Sequence, residues 1–263
     1  LELVKYQNDE QRQVCLGWLS QAIYATQQYD YINRRQPGTG AWVLESPEFQ
    51  TWIEKSPQTM FCPGIPGAGK TILASIVVDE LESRCGNKSD VGIAYIFCSF
   101  QRHDDQSQKL ESLMASIVRQ LAQGLSPLPE IIESLHEKHR IKGTRPSVHE
   151  ISIALRFIIG RFSRLFIIVD ALDECHNLTI SQLLNVIFDL QATENLNFLA
   201  TSRFIPDIVT MFQNMPTLEI RAAKVDVMEY LVSNLHKLPL FVSRDPQLQQ
   251  DIVTSITNSV DGM

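Results

Sequence analysis

The segment Gly64-Ile65-Pro66-Gly67-Ala68-Gly69-Lys70-Thr71 has the spacing G-x-x-x-x-G-K-[ST] of a phosphate-binding loop. Wrapping a polyanion calls for backbone N–H groups at a helix N-terminus, where the dipole favours negative charge. Gly64, Gly67 and Gly69 are expected to adopt backbone conformations closed to other residues and to let the main chain approach the phosphates, with Ile65, Pro66 and Ala68 completing the loop. Lys70 is expected to reach the β- and γ-phosphates, and the Thr71 hydroxyl to ligate Mg²⁺.

Two further groups could share that chemistry. Leu165 to Val169 is an apolar run ending in Asp170, followed by Asp173 and Glu174. A carboxylate at the C-terminal end of a parallel strand stands where ligands bind, and Asp170 with Thr71 suffices for a magnesium ion that keeps most of its waters. Asp173 and Glu174 are close enough in sequence to orient or deprotonate a water attacking a γ-phosphate. Leu199-Ala200-Thr201-Ser202-Arg203 is a third strand end, whose guanidinium could sense a terminal phosphate by charge-assisted contacts.

These residues need a scaffold of alternating strands and helices. Thr59 to Cys62 reads as a buried strand before the loop, and Ile72, Leu73, Ile76, Val77 and Leu81 recur at helical spacing after it. Val91 to Ser99, Leu165 to Val169, Leu196 to Ala200 and Thr217 to Ile220 read as further strands. Near-continuous apolar runs suit strands covered on both faces, as in a parallel sheet. Ser147 and Glu150 form a capping box, and Ser46-Pro47 reads as an N-cap followed by proline in the first turn. The pattern predicts an α/β fold, with a helical lead-in over 1–56, a nucleotide-binding core over 57–222 and the start of a small helical subdomain over 223–263.

Composition narrows the class. The chain has 263 residues, 44% hydrophobic and 20% charged, as expected of a globular protein, and a formal net charge of −7, which argues against broad nonspecific nucleic-acid binding. Five cysteines, none in a C-x-x-C pair, point to buried free thiols in a reducing, intracellular and cytoplasmic setting. No apolar run approaches membrane-spanning length. The opening Leu-Glu-Leu and closing Asp261-Gly262-Met263 are expected to be cuts within a longer protein.

The order of Gly64–Thr71, Asp170-Ala-Leu-Asp173-Glu174 and Thr201-Ser202-Arg203 resembles the NACHT class of signalling P-loop NTPases, the STAND group. It is most similar to fungal NOD-like receptors and nephrocystin-type P-loop domains, through Arg34–Trp42, Phe61–Gly64, Val169–Cys175 and Ala200–Pro206. The resemblance implies a three-layer α/β/α P-loop NTPase with a five-stranded parallel sheet in the order 5-1-4-3-2, the sensor strand lying between the loop strand and the acidic strand. It implies that Gly38, Thr39, Gly40 and Trp42 help cover the base and ribose. It also implies a winged helix and ankyrin, WD or similar repeats downstream, an effector region upstream, and self-association in the triphosphate state.

The expected function is therefore a switch that binds Mg²⁺ with ATP or GTP and hydrolyses it slowly, since no second arginine stands ready as a finger in cis. The expected partners are a nucleoside triphosphate and further copies of the chain, with no specific nucleic acid and no membrane span. An assembly module that binds nucleotide without hydrolysis is the alternative. A small-molecule kinase would need lid and acceptor segments that are not found. Asn87-Lys88-Ser89-Asp90 matches the guanine-reading N-K-x-D but precedes the acidic strand, and reads as a loop. Glu133, His136 and His139 read as an exposed helix face, and Arg102 and His103 as surface residues.

Overall fold

The computed structural model describes residues 2–86, 88–99 and 109–259, with side chains from Asp9 onward. Asn87, Arg102, His103 and Asp261–Met263, all noted above, lie outside the described residues. The lead-in comprises α1 (Glu2–Leu19), α2 (Tyr24–Arg34), α3 (Trp42–Glu45) and α4 (Pro47–Glu54). Then follow β1 (Gln58–Pro63), α5 (Lys70–Cys85), β2 (Val91–Phe97), α6 (Leu110–Gln123), α7 (Glu130–Lys142) and α8 (Val148–Ile159). The rest of the sheet region is β3 (Arg164–Asp170), α9 (Asn177–Gln191), β4 (Leu196–Ser202) and α10 (Pro206–Met211), and the chain continues into α11 (Lys224–Asn234), α12 (Leu240–Ser243) and α13 (Pro246–Ser259).

The described sheet is parallel throughout. Every residue of β4 is buried. Successive side chains of a strand point to opposite faces, so both faces of the sheet are covered, as an all-parallel sheet requires. The helix starts follow from local chemistry. Ser46 caps α4 through Phe49 N at 3.2 Å, and Ser147 and Glu150 close the capping box on α8. The helical lead-in opens on two helices, α1 and α2, with a break between Leu19 and Tyr24.

The sheet corrects one expectation. Five strands in the order 5-1-4-3-2 were implied, whereas there are four among the described residues, in the order β1-β4-β3-β2. The expected last strand makes one isolated parallel bridge, Phe61 with Thr217. Phe61 N donates to Pro216 O at 2.9 Å, Leu218 N to Phe61 O at 2.9 Å and Ile220 N to Pro63 O at 2.7 Å. The next ladder bond would have to come from Pro63, which has no N–H, so the pairing breaks where a second bridge would form.

The lead-in is welded to the sheet. Cys15, Leu16, Val43, Phe49 and Trp52 belong to the same buried cluster as the strands. The Trp52 indole N–H donates to Phe198 O at 2.9 Å, and its ring packs at 5.7 Å from Phe49 and 5.3 Å from Phe166. Asn197, fully buried in β4, donates to Trp52 O and to Lys55 O, tying the end of α4 to the sheet. Gln28 of α2 donates to Ser75 O of α5 at 2.8 Å.

His136 and His139 are not on an exposed face. Both are buried. His136 packs edge-on to Trp18 with Cys15 Sγ 3.5 Å from its Nδ1, and His139 bridges Thr144 and Glu150. Helix α1, packed against α7, covers the face that periodicity left to solvent.

Replacing Trp52 tests the weld. Trp52→Ala is expected to lower unfolding free energy by about 3–5 kcal/mol. Trp52→Phe should cost about 1–3 kcal/mol, because it leaves a buried carbonyl short of a donor. Urea unfolding with an unchanged slope checks both.

Candidate phosphate-binding site

The glycine loop joins β1 to α5 at the C-terminal edge of the sheet, where β3 and β4 also end. Gly67 (φ 81°) and Gly69 (φ 91°) occupy the left-handed region, with Gly69 as the N-cap of α5. Gly64 serves differently from expectation. Its φ is not positive, and a Cβ there would lie 2.5 Å from the Ile220 carbonyl oxygen. It is glycine for want of space. Pro66 and Gly67 form the exposed tip, Ala68 is buried behind it, and Ala68 N donates to Ile65 O at 3.2 Å.

Lys70 Nζ donates to Gly64 O and Ile65 O, both at 2.8 Å, so its ammonium sits inside the curve of the loop. Burial pushes that ammonium below its ordinary pKa. Asp173, Asp170 and Glu174 pull it back up, and Arg203 pushes it further down. Groups at the ends of β3 and β4 therefore act on the charge carried just after the loop that follows β1.

Asp170 is the hub. It is buried at the end of β3, and its Oδ2 accepts from the Thr71 hydroxyl at 2.7 Å while Oδ1 accepts from the Thr201 hydroxyl at 2.6 Å. Thr201 in turn accepts from Ala171 N at 2.9 Å. Burial raises the Asp170 carboxyl to about 6, against the two hydroxyl bonds and the Lys70 charge that lower it. A hard oxygen pair whose carboxylate is desolvated and short of positive charge suits a small divalent cation that keeps its waters. Thr71 and Asp170 would hold it. Among the described residues no group of three or more His, Cys, Asp or Glu could hold a metal.

Asp173 and Arg203 are brought together, each in a role its own segment does not reveal. Asp173 Oδ1 accepts from Arg203 N at 2.9 Å, and Oδ2 accepts from Arg203 Nε. Burial pushes the Asp173 carboxyl up, but the bonds and charge of Arg203 outweigh it and hold the group below its ordinary value. Glu174 follows Asp173 in a 3-10 turn, half-buried.

Beside the loop lies a cavity of about 380 Å³. Thr39, Gly40 and Trp42 line it, as do Gly67, Ala68 and Gly69. Gly38 does not; the Glu229 carboxylate packs where its Cβ would stand. The opposite wall, which sequence reasoning missed, is Arg221, Asp226, Val227, Tyr230, Leu231 and Ile256, from α11, α13 and the segment before them. Gly40 N donates to Asp226 Oδ2 at 2.9 Å across the mouth. The apolar spacing of α11 was the available signal, but it does not say which face looks inward. A larger cavity, about 610 Å³, lies elsewhere, between the α1–α2 junction, α6 and the start of α8. Lys88, Ser89 and Asp90 sit at the opposite end of the sheet, where Asp90 pairs with Ser163 at 2.6 Å, so they cannot read a base at this site.

No helix among the described residues is long and apolar enough to cross a membrane. The family model described as Nephrocystin 3, N-terminal matches residues 38–203, more than half of the chain. No curated protein matches. Among solved structures, the chain is similar to a DNA replication initiation factor (14% identity, 88% of this chain and 61% of that one, TM-score 0.45). It is also similar to Cdc6p from Pyrobaculum aerophilum (13%, 76% and 49%, 0.47) and to AMPPCP-bound DnaA from Aquifex aeolicus (12%, 86% and 63%, 0.42). The chain thus spans between 49% and 63% of the length of these structures, and likeness this distant carries no information on function.

Thr201→Val tests the hub. Removing one hydroxyl leaves Asp170 Oδ1 without a donor and Ala171 N without an acceptor, at an expected cost of about 1–3 kcal/mol, whereas Thr201→Ser should cost less than about 1.5 kcal/mol. Chemical denaturation of the two variants beside the parent measures the difference.

Proposed function

We propose that this chain, which belongs to the Nephrocystin 3, N-terminal family, is a nucleotide-operated switch that binds ATP or GTP with Mg²⁺ at the Gly64–Thr71 loop. One observation carries the reading: Asp170 at the end of β3 joins Thr71 of the loop to Thr201 of β4, while Asp173 beside it holds Arg203, so three strand ends meet at the mouth of the loop. Phosphoryl transfer needs little beyond such positioning and charge stabilisation. Lys70 exchanges the loop carbonyls for phosphate oxygens. Thr71 and Asp170 would hold the cation, whose charge would offset that of the phosphates. Arg203 reports the terminal phosphate, and Glu174 orients the water.

The neighbouring cavity has the size and the mixed lining of a base and ribose site. Thr39, Gly40 and Trp42 cover one side of it and α11 the other. We read residues 223–263 as the start of a helical subdomain whose contact at Gly40 and Asp226 couples it to the nucleotide. A ligand at 100 times its dissociation constant supplies about 2.7 kcal/mol, enough to bias a nearly balanced closure. The module would be the NACHT-type centre of a NOD-like receptor, self-associating in the triphosphate state between an effector and a repeat region. Turnover is slow. The engagement of both Asp173 oxygens favours, as a second reading, an assembly module that binds nucleotide without hydrolysing it.

Lys70→Ala should abolish binding of a labelled triphosphate analogue, and unchanged binding would exclude the site. Glu174→Gln should keep the nucleotide and lower phosphate release about 10²–10⁴-fold, the usual contribution of a positioned acid–base group. Equal release from the Glu174→Gln variant and the parent would remove the residue from the mechanism, and no release from the parent would favour the second reading.

A further inference from the structure

Asp173 is expected, from its place after the acidic strand, to act on a water. Its surroundings argue otherwise. The side chain is only 3% exposed, and both carboxylate oxygens are occupied by one residue of the next strand end: Oδ1 by the Arg203 backbone N–H and Oδ2 by its Nε–H. A carboxylate that accepts one charge-assisted bond at each oxygen, in a side chain nearly closed to solvent, is a weakened base with little access to a water. Its backbone is equally constrained. Ala171 is held in the left-handed region (φ 56°) with its N–H on Thr201, and the turn is closed by Glu174 N to Ala171 O at 2.9 Å and Cys175 N to Leu172 O at 3.0 Å.

The grip has a direction. Among the described residues Arg203 donates through N and Nε only, and neither Nη has an acceptor. Its side chain is 39% exposed, and its charge reaches Lys70. A guanidinium fixed at Nε keeps its outer fork free in a set plane, the arrangement suited to bidentate contact with a phosphoryl group.

We infer that Asp173 is a positioning residue, which clamps Arg203 by main chain and side chain so that its two Nη atoms face the loop, and that it does not activate water. The inference rests on the nucleotide reading above. It divides the two neighbouring acids: Glu174 addresses the water, Asp173 the sensor.

The test is a cycle of Asp173→Asn, Arg203→Met and the double variant, in the full chain with Mg²⁺, reading the ratio of ADP to ATP-analogue dissociation constants. The Asp173→Asn change keeps the shape of the side chain but removes its charge and can turn an amide towards Nε. Arg203→Met should reduce the preference for triphosphate at least about tenfold, the scale of one charge-assisted contact. Asp173→Asn should reduce it about three- to tenfold, and should change it by less than about twofold once Arg203 is gone, as coupled residues do. Asp173→Asn leaving the ratio unaltered while cutting phosphate release equally in both backgrounds would overturn the inference. Nucleotide-free chain supplies a second readout: exchange of the Arg203 Nε–H, identified by its absence in Arg203→Met, should be at least about tenfold faster in Asp173→Asn if the clamp is real. Slow exchange persisting in Asp173→Asn would equally overturn it. A parent chain that binds neither nucleotide defeats the functional reading, and that result is distinct from a parent that discriminates while Asp173→Asn makes no difference.

Discussion

A carboxylate buried at the end of an apolar strand is costly unless hydrogen bonds and charge compensate it. Asp170 finds its compensation in two threonines that belong to different elements, Thr71 on the first turn of α5 and Thr201 near the end of β4. Satisfying that one side chain fixes the helix after the glycine loop and the neighbouring strand relative to β3. The register of the sheet carries the same constraint, with Phe97 opposite Asp170 and Val169 opposite Ala200. Because desolvation still holds the carboxyl near 6, the site is left short of positive charge, and a cation placed there gains what the protein alone does not supply.

The remainder of the fold serves to keep that edge rigid. Aromatic side chains fill the space around the central strands: Phe61 stacks on Phe212 at 4.3 Å, and Phe198 stands 6.2 Å from both Phe188 and Phe212. Trp52 and Phe49 extend the core into the lead-in. The helices after Ala223 are built differently. Neither α11 nor α13 buries a residue fully, and Val225, Tyr230, Leu240 and Phe241 are exposed. A region with so few buried contacts opens at lower free energy than a core strand. That is the property a segment must have if it is to respond to what occupies the cavity beside the loop.

Much of this was legible in the residues alone. Apolar runs located the four strands of the described residues, the glycine spacing located the loop, and a Ser–Glu pair located the start of α8, because each of these signals is local. What was hidden depends on partners distant in the chain. Pro63 was visible, yet its missing N–H matters only because Thr217–Ile220 lies alongside and needs it. The loop spacing predicts a special backbone conformation at Gly64, whereas it is the crowding by Ile220 that requires a glycine there. His136 and His139 follow a polar periodicity, and only the packing of Trp18 reveals that they are covered. Asp173 and Arg203 are 30 residues apart, and nothing short of the β3–β4 register puts one in the grasp of the other. The far wall of the cavity escaped for the same reason, since the spacing in α11 marks an apolar stripe without saying what it meets.

The central claim is that three strand ends surround one phosphate chain and a cation. Calorimetric titration of the unaltered protein with a slowly hydrolysed ATP or GTP analogue, once with Mg²⁺ and once with a chelator, addresses it most directly. The account predicts one saturable site per chain whose affinity falls at least about tenfold when the cation is removed, a loss of about 1.4 kcal/mol or more. Absence of binding at millimolar nucleotide, or binding indifferent to the cation, would contradict it.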